Sequence, residues 1–256
     1  MRTLMNSLHA ALVDAAHEAA KRPAFYHTLM HADVFVIGHT DQPTGEGHRT
    51  LEAGDNLSLV NWEKADGTPV IPFFTHLEAL QCAVDSETRY LALPARNLFE
   101  MTRGATLFLN PKSDYGKEFL PHEIEALLET GMNQRADSRT VEKETRVMLG
   151  QPAEYPQQMV SALKQLLGMH PGVIAAYLCL MHYPDSEEAP VLLVGFEGVD
   201  LEQAMREAGS VVADTAPDGQ PVDFVLVDDS TSGLSAYLRG TEPFYSWAEQ
   251  SRGSAQ

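Results

Sequence analysis

The stretch Trp62-Glu63-Lys64-Ala65-Asp66-Gly67-Thr68-Pro69-Val70-Ile71-Pro72-Phe73-Phe74-Thr75-His76-Leu77-Glu78-Ala79-Leu80 constrains the fold more than any other part of the chain. Asp66-Gly67 is a strong turn signal, and the runs Leu57 to Trp62 and Val70 to Phe74 on either side predict the two strands of a hairpin. Pro72 lies inside the second run. Proline has no N–H to give a central ladder, so its position predicts an edge strand or a bulge. Thr75, with Glu78 three residues on, has the form of a capping box opening a helix whose Leu77, Leu80 and Val84 face inward.

The remaining patterns mix hairpins with helices and show no regular β-α-β alternation. Leu4, Leu8, Leu12 and Ala15 recur at helical spacing within residues 4–20, with Asp14 and Glu18 on the other side. A second short helix covers 23–31. Val34-Phe35-Val36-Ile37 reads as a buried strand ended by Gly38, and 38–55 as a loop. Beyond the hairpin come a strand from Arg89 to Leu93, a helical turn from Asn97 to Thr102 and a strand from Ala105 to Asn110. A polar loop from Pro111 to Glu118 then precedes a helix opened by Pro121. Charged and amide residues dominate up to Pro156, with one strand around Thr145 to Leu149.

Met159, Leu163, Leu166 and Leu167 mark the next helix, and Val173 to Tyr183 and Val191 to Phe196 are long apolar strands. Asp200 with Gln203 repeats the capping device ahead of an inner stripe of Leu201, Ala204, Met205 and Ala208. Val222 to Val227 is the last strand. The expectation is an α+β protein of two mixed α/β sandwich-like domains with largely antiparallel sheets. The first occupies residues 1–131, a connector 132–156, the second 157–247, and a polar tail 248–256.

Charge narrows the partners. A formal net charge of −18 repels phosphate backbones and anionic headgroups, so neither nucleic acid nor membrane is expected. Solubility accounts for such a surface, and so does a basic protein partner met through charge complementarity. The chain has two cysteines, Cys82 and Cys179, in different domains and in apolar surroundings, which predicts reduced, inert core thiols. No window approaches the roughly 18–20 apolar residues of a membrane span. Asn6, Ser7, His9, Asp14 and His17 interrupt any leader-like core, and a cytoplasmic location is therefore expected.

Catalytic signatures are missing where they would be looked for. Gly45-Glu46-Gly47 lacks a third glycine, and Gly116-Lys117 is followed by Glu118 in place of a magnesium-binding hydroxyl. No Gly-x-Ser-x-Gly elbow occurs. His27 and His31, four apart on a predicted helix, are the one metal candidate pair, but the acid that a hydrolytic zinc helix carries beside its first histidine is absent. Solvated surface is the simpler reading, and no metal or other cofactor is expected. Glu187-Glu188, Asp228-Asp229 and the Asp85/Glu87 pair fall in turns or strand ends, where carboxylates ordinarily meet water.

Of the aromatic set Trp62, Phe73, Phe74, Phe99 and Phe108, most are expected in the core, and Trp62 is the exception. It lies at a hairpin end beside Glu63 and Lys64, next to an expected edge strand. Open edges recruit strands from partners, so Trp62, Glu63, Lys64, Phe74 and Glu100 form the candidate contact surface.

Several of these segments carry a resemblance. Arg22-Pro23-Ala24-Phe25, Trp62-Glu63-Lys64, Asp66-Gly67-Thr68, Val70 to Phe74, Leu77 to Gln81, Leu98 to Thr102, Thr106 to Asn110 and Gly116 to Phe119 resemble the bacterial SseB family, the enhanced serine sensitivity proteins. Asp214-Thr215, Pro217, Pro221 and Pro243-Phe244-Tyr245 extend the resemblance through the second half, over roughly residues 20–245. It implies an N-terminal and a C-terminal SseB domain and a link to amino-acid physiology, and it supplies no catalytic residue or cofactor. A helical, secreted translocon protein shares the name, and the strand content here does not fit it. The leading expectation is a non-enzymatic binding or adaptor protein. A sensor holding a small-molecule ligand such as an amino acid in an inter-domain cleft is the alternative, and an unrecognised enzyme the third.

Overall fold

The computed structural model describes residues 7–40, 57–134, 147–184, 189–218 and 220–248. Leu4, Gly45-Glu46-Gly47, most of the loop expected at 38–55, residues 135–146 of the 132–156 connector, Glu187-Glu188 and nearly all of the tail lie outside the described residues. The chain divides into two compact units. The first takes Ser7–His17 and Ala24–Asn133, and the second takes Glu18–Pro23 together with the described residues after Asn133. The sequence predicts the first unit as one unbroken run. Glu18–Pro23 is instead part of the second unit, because Ala20, on a single 3-10 turn, is buried in that unit's core.

The first unit runs α1 (Ser7–His17), α2 (Arg22–Met30), β1 (Asp33–Thr40), β2 (Leu57–Leu59), β3 (Trp62–Glu63), β4 (Pro69–Phe74), α3 (Leu77–Ala83), β5 (Tyr90–Pro94), α4 (Ala95–Met101), β6 (Leu107–Leu109), β7 (Lys117–Phe119) and α5 (Pro121–Thr130). Its sheet has the order β2-β1-β4-β6-β7, with β5 on the other side of β1 and β3 on β4. Period-two alternation assigns the faces. Val34, Val36 and Phe73 enter the large core with Leu8, Leu12, Phe25, Leu29, Leu98, Phe99, Ile124 and Leu127. Phe35, Ile37 and Phe74 turn to the opposite face, under Ala79, Leu80 and Ala83 of α3.

Local expectations fail here for identifiable reasons. The single strand expected from Leu57 to Trp62 is bent: β2 pairs with β1, and β3 pairs with β4. Gly38 does not end β1 but pairs with Leu59, since a Cβ there would collide with the Ser58 carbonyl oxygen. Pro72 is buried, and β4 is no edge: β6 runs parallel along one side. On its other side β4 pairs with β3 at Val70 and with β1 at Phe73 and Phe74, so Pro72 sits at the fork where the neighbour changes and no donor is needed. The loop expected from Pro111 to Glu118 ends in β7, antiparallel to β6.

The second unit runs β8 (Met148–Gly150), α6 (Gln157–Leu167), β9 (Val173–His182), β10 (Val191–Gly198), α7 (Glu202–Thr215), β11 (Val222–Leu226), α8 (Gly233–Arg239) and β12 (Tyr245–Ser246). The sheet order is β11-β10-β9-β12, and β8 also pairs with β9. Ala176, Leu178, Leu192, Val194 and Phe196 pack under α6 and α7. Tyr177, Cys179, Met181 and Leu193 pack with Leu238 of α8 on the other face. Burial on both faces explains why β9 and β10 read as unbroken apolar runs. At Gly195 a Cβ would stand 2.8 Å from the Leu238 and Val227 side chains, which would have to shift to admit any larger residue. The architecture is α+β with largely antiparallel sheets, as expected. Among the described residues, no helix is long and apolar enough to cross a membrane.

Candidate functional site

The hairpin at Trp62 forms as its sequence dictates. Gly67 takes φ +81°, Gly67 N–H donates to the Lys64 carbonyl at 2.9 Å, and Thr68 N–H donates to Asp66 Oδ1 at 2.9 Å. Trp62 is half-buried. Its ring meets Phe74 edge-on with centroids 6.4 Å apart, and Lys112 Nζ lies 5.4 Å from its centroid while donating to the Ala83 carbonyl. Glu63 is exposed, and Lys64 pairs with Glu118 at 2.7 Å. Phe74 is fully buried, so it supports Trp62 from beneath and offers nothing to a partner. Glu100 pairs with Arg96 on α4, which packs on the sheet face opposite Trp62. The structure brings Trp62, Glu63, Lys64 and Phe74 together and leaves Glu100 elsewhere.

Beside this hairpin lies a buried polar cluster at the carboxyl ends of the parallel strands β4 and β6. Thr75 is expected to cap α3, but His76 precedes the helix and neither side chain caps it. Asn110 takes both ends of Thr75: Thr75 N–H donates to Asn110 Oδ1 at 2.9 Å, and Asn110 Nδ2 donates to Thr75 Oγ1 at 3.0 Å. Both residues are fully buried, and Asn110 has φ +50°, a conformation its short amide tolerates better than most side chains. The Thr75 hydroxyl stands 2.7 Å from His76 Nδ1. The hydroxyl thus sits between the Asn110 amide and the His76 ring.

Burial, and next the nearby His9, push the His76 pKa below its ordinary value, with Glu78 opposing. The His9 ring packs edge-on at 4.8 Å, and its buried Nδ1 has no partner among the described residues. With Thr75 inaccessible and its hydroxyl engaged on both sides, this cluster holds the exit of β6 against the end of β4. Sequence patterns do not single out Asn110, since nothing local marks a partner for Thr75 so far along the chain.

His27 and His31 are exposed and stacked with centroids 4.5 Å apart, and His31 Nδ1 is 2.8 Å from the His27 carbonyl oxygen. No group of three or more His, Cys, Asp or Glu is placed to hold a metal among the described residues. Cys82, expected in a core, is exposed because α3 turns Ala79, Leu80 and Ala83 inward and Cys82 outward. Cys179 is buried, which pushes its thiol up to about 11. Asp200 does not cap α7. It adopts φ +53°, and Leu201 stands before the helix without a side-chain cap.

The second unit holds a different kind of feature. Between Lys164 and Arg239 the chain carries twelve acidic residues and one base, Arg206. Asp228 accepts from Ser230 N–H at 3.0 Å, and its bonds to Ser230, then to Ser235, hold its carboxyl down at about 2. Asp229 is exposed beside Arg239 at 3.4 Å. Tyr177 donates to Glu197 at 2.7 Å. Burial first and this bond second push its phenol up to about 12.

The fold and these surfaces define a two-unit α+β protein with one buried polar cluster and one strongly acidic segment. The chain belongs to the SseB family. The SseB protein N-terminal domain matches residues 8–126, and the SseB protein C-terminal domain matches residues 141–246. The chain is 41% identical to Protein SseB of Escherichia coli (strain K12) over 248 residues, which cover 96% of this chain and 93% of that protein. Protein SseB of Shigella flexneri is similar to the same extent. No solved structure matches it.

Proposed function

We propose that this chain is a non-enzymatic cytoplasmic binding protein that captures a basic protein partner, within the amino-acid physiology that the family's link to serine sensitivity implies. The observation that carries this reading is the concentration of charge: twelve acids against Arg206 between Lys164 and Arg239, within a net charge of −18. A field of one sign raises the encounter rate of an oppositely charged protein and rejects nucleic acid.

The test is mass spectrometry of the proteins that co-purify with the untagged chain from its native host, at low and at high salt. A stoichiometric basic protein released by salt is the expected result, because screening weakens exposed charge pairs. An empty eluate at both salts overturns the reading. A thermal shift against an amino-acid panel would then be decisive, since a ligand that binds only the folded form raises the melting temperature.

A further inference from the structure

β11 borders the second sheet, pairing with β10 on one side and with no strand on the other among the described residues. The ladder fixes which of its main-chain groups are used. Leu192 N–H donates to the Pro221 carbonyl, and Val227 N–H donates to the Phe196 carbonyl. In a parallel pair, Asp223 and Val225 therefore also turn their amides toward β10, while Val222, Phe224 and Leu226 turn theirs outward. One border strand of the first sheet, β5, differs. Gly38 N–H donates to the Arg89 carbonyl and Ala95 N–H to the Ala32 carbonyl, so Tyr90, Ala92 and Pro94 of β5 face outward. Pro94 has no N–H and blunts that edge. β11 has no proline along its outward row.

Charge selects the occupant. Asp223 lies on the strand, Asp218 precedes it, Asp228 and Asp229 come after it, and no Lys or Arg occurs from Ala216 to Ser232. A second copy would set these carboxylates against one another, which disfavours homotypic pairing. A basic strand meets the opposite sign. Leu226, 58% exposed, adds an apolar seat at the end of the row.

We propose that the open edge of β11 receives an extended, lysine- or arginine-bearing segment of a protein partner as an added strand. Main chain meets main chain at Val222, Phe224 and Leu226, and cations meet Asp223 and Asp228, with Asp229 shared with Arg239. The proposal rests on the basic-partner reading and names its site.

The experiment adds a synthetic decapeptide of alternating lysine and valine to the full chain and monitors amide hydrogen exchange. Exchange at Phe224 and Leu226 is expected to slow about tenfold, since each amide gains a partner comparable to a ladder bond. Val222→Pro removes one outward donor at the first position of the strand, leaves the β10 ladder intact, and should weaken the peptide about fivefold. Replacing Asp223, Asp228 and Asp229 by asparagine should flatten the salt dependence without altering the edge.

Binding with unprotected Phe224 and Leu226 amides overturns the proposal, as does equal binding of an alternating glutamate and valine peptide. Protection that rises with protein concentration in the absence of peptide overturns it in favour of a second copy. If a salt-released host partner is held equally well by Val222→Pro and by the asparagine variant, the edge fails and the basic-partner reading stands. If no host partner exists at any salt while the peptide protects the edge, the reading fails and the edge stands.

Discussion

Each sheet carries one parallel pair among the described residues, β4 with β6 and β10 with β11, and the two are finished in opposite ways. In the first unit, β7 folds back onto β6, and Asn110 at the end of β6 ties itself to Thr75 at the end of β4. In the second unit, the chain leaves β11 for α8, which packs on a face of the sheet, and among the described residues no strand returns to cover the border. One strand–crossover–strand unit thus ends as a sealed interior seam and the other as an open acidic edge. The element that comes after the second strand decides the outcome, more than the parallel pair itself.

The largest effect should come from proline placed on the two sides of β11. Val225→Pro removes an N–H used by β10 and should cost about 3 kcal/mol or more, whereas Val222→Pro should stay within about 1 kcal/mol. Urea unfolding of both variants measures this, and equal losses would show that the strand's inward and outward rows are misassigned. Asn110→Ala tests the sealed seam. It takes the Asn110 partner from the buried Thr75 N–H and leaves the hydroxyl to His76, so about 1–3 kcal/mol should be lost from the first unit's transition. A loss below about 0.5 kcal/mol, the range of unconstrained surface sites, would mean that the seam does not depend on the amide.

Trp62→Ala comes next. Losing the edge-on contact with Phe74 and part of the ring's burial should cost about 1–2 kcal/mol with cooperative melting retained. A non-cooperative melt would place Trp62 in the core proper. The smallest effect is pH-dependent. Because the folded pKa of His76 lies below its ordinary 6.5, the stability it contributes is complete above pH 6.5 and is lost as pH falls toward and through the folded value. His76→Gln should flatten this fall. An unchanged slope would assign the acid sensitivity to other groups.

Helical stripes and buried strands are legible because their periods survive in any context. Leu8, Leu12 and Ala15 face the core as their spacing requires, and Val173 to Tyr183 forms β9 nearly in full. The failures share a cause, which is competition from residues distant in sequence. Thr75 has the right neighbours for a cap, but Asn110, 35 residues away, takes its hydroxyl. Pro72 reads as an edge marker, and only the meeting of β1, β3 and β4 shows why an interior strand tolerates it there. The sequence groups Glu100 with Trp62, and the alternation of the sheet puts the two on opposite faces. The acidic segment, by contrast, is countable from the residues alone, but its relation to an unblunted border strand requires the ladder of β10 and β11.

Ala20 gives the order of synthesis a meaning. Glu18–Pro23 leaves the ribosome ahead of Ala24–Asn133, yet Ala20 fits into the second unit's core and Arg22 meets Asp214 at 2.7 Å. This segment must wait for its core while Ala24–Asn133 and most of the second unit are translated. The nascent chain therefore cannot mature as two beads completed one after the other. A fragment begun after Asn133 would lack a piece of its own interior, so halves made separately should regain the native second unit only when the early segment is supplied alongside.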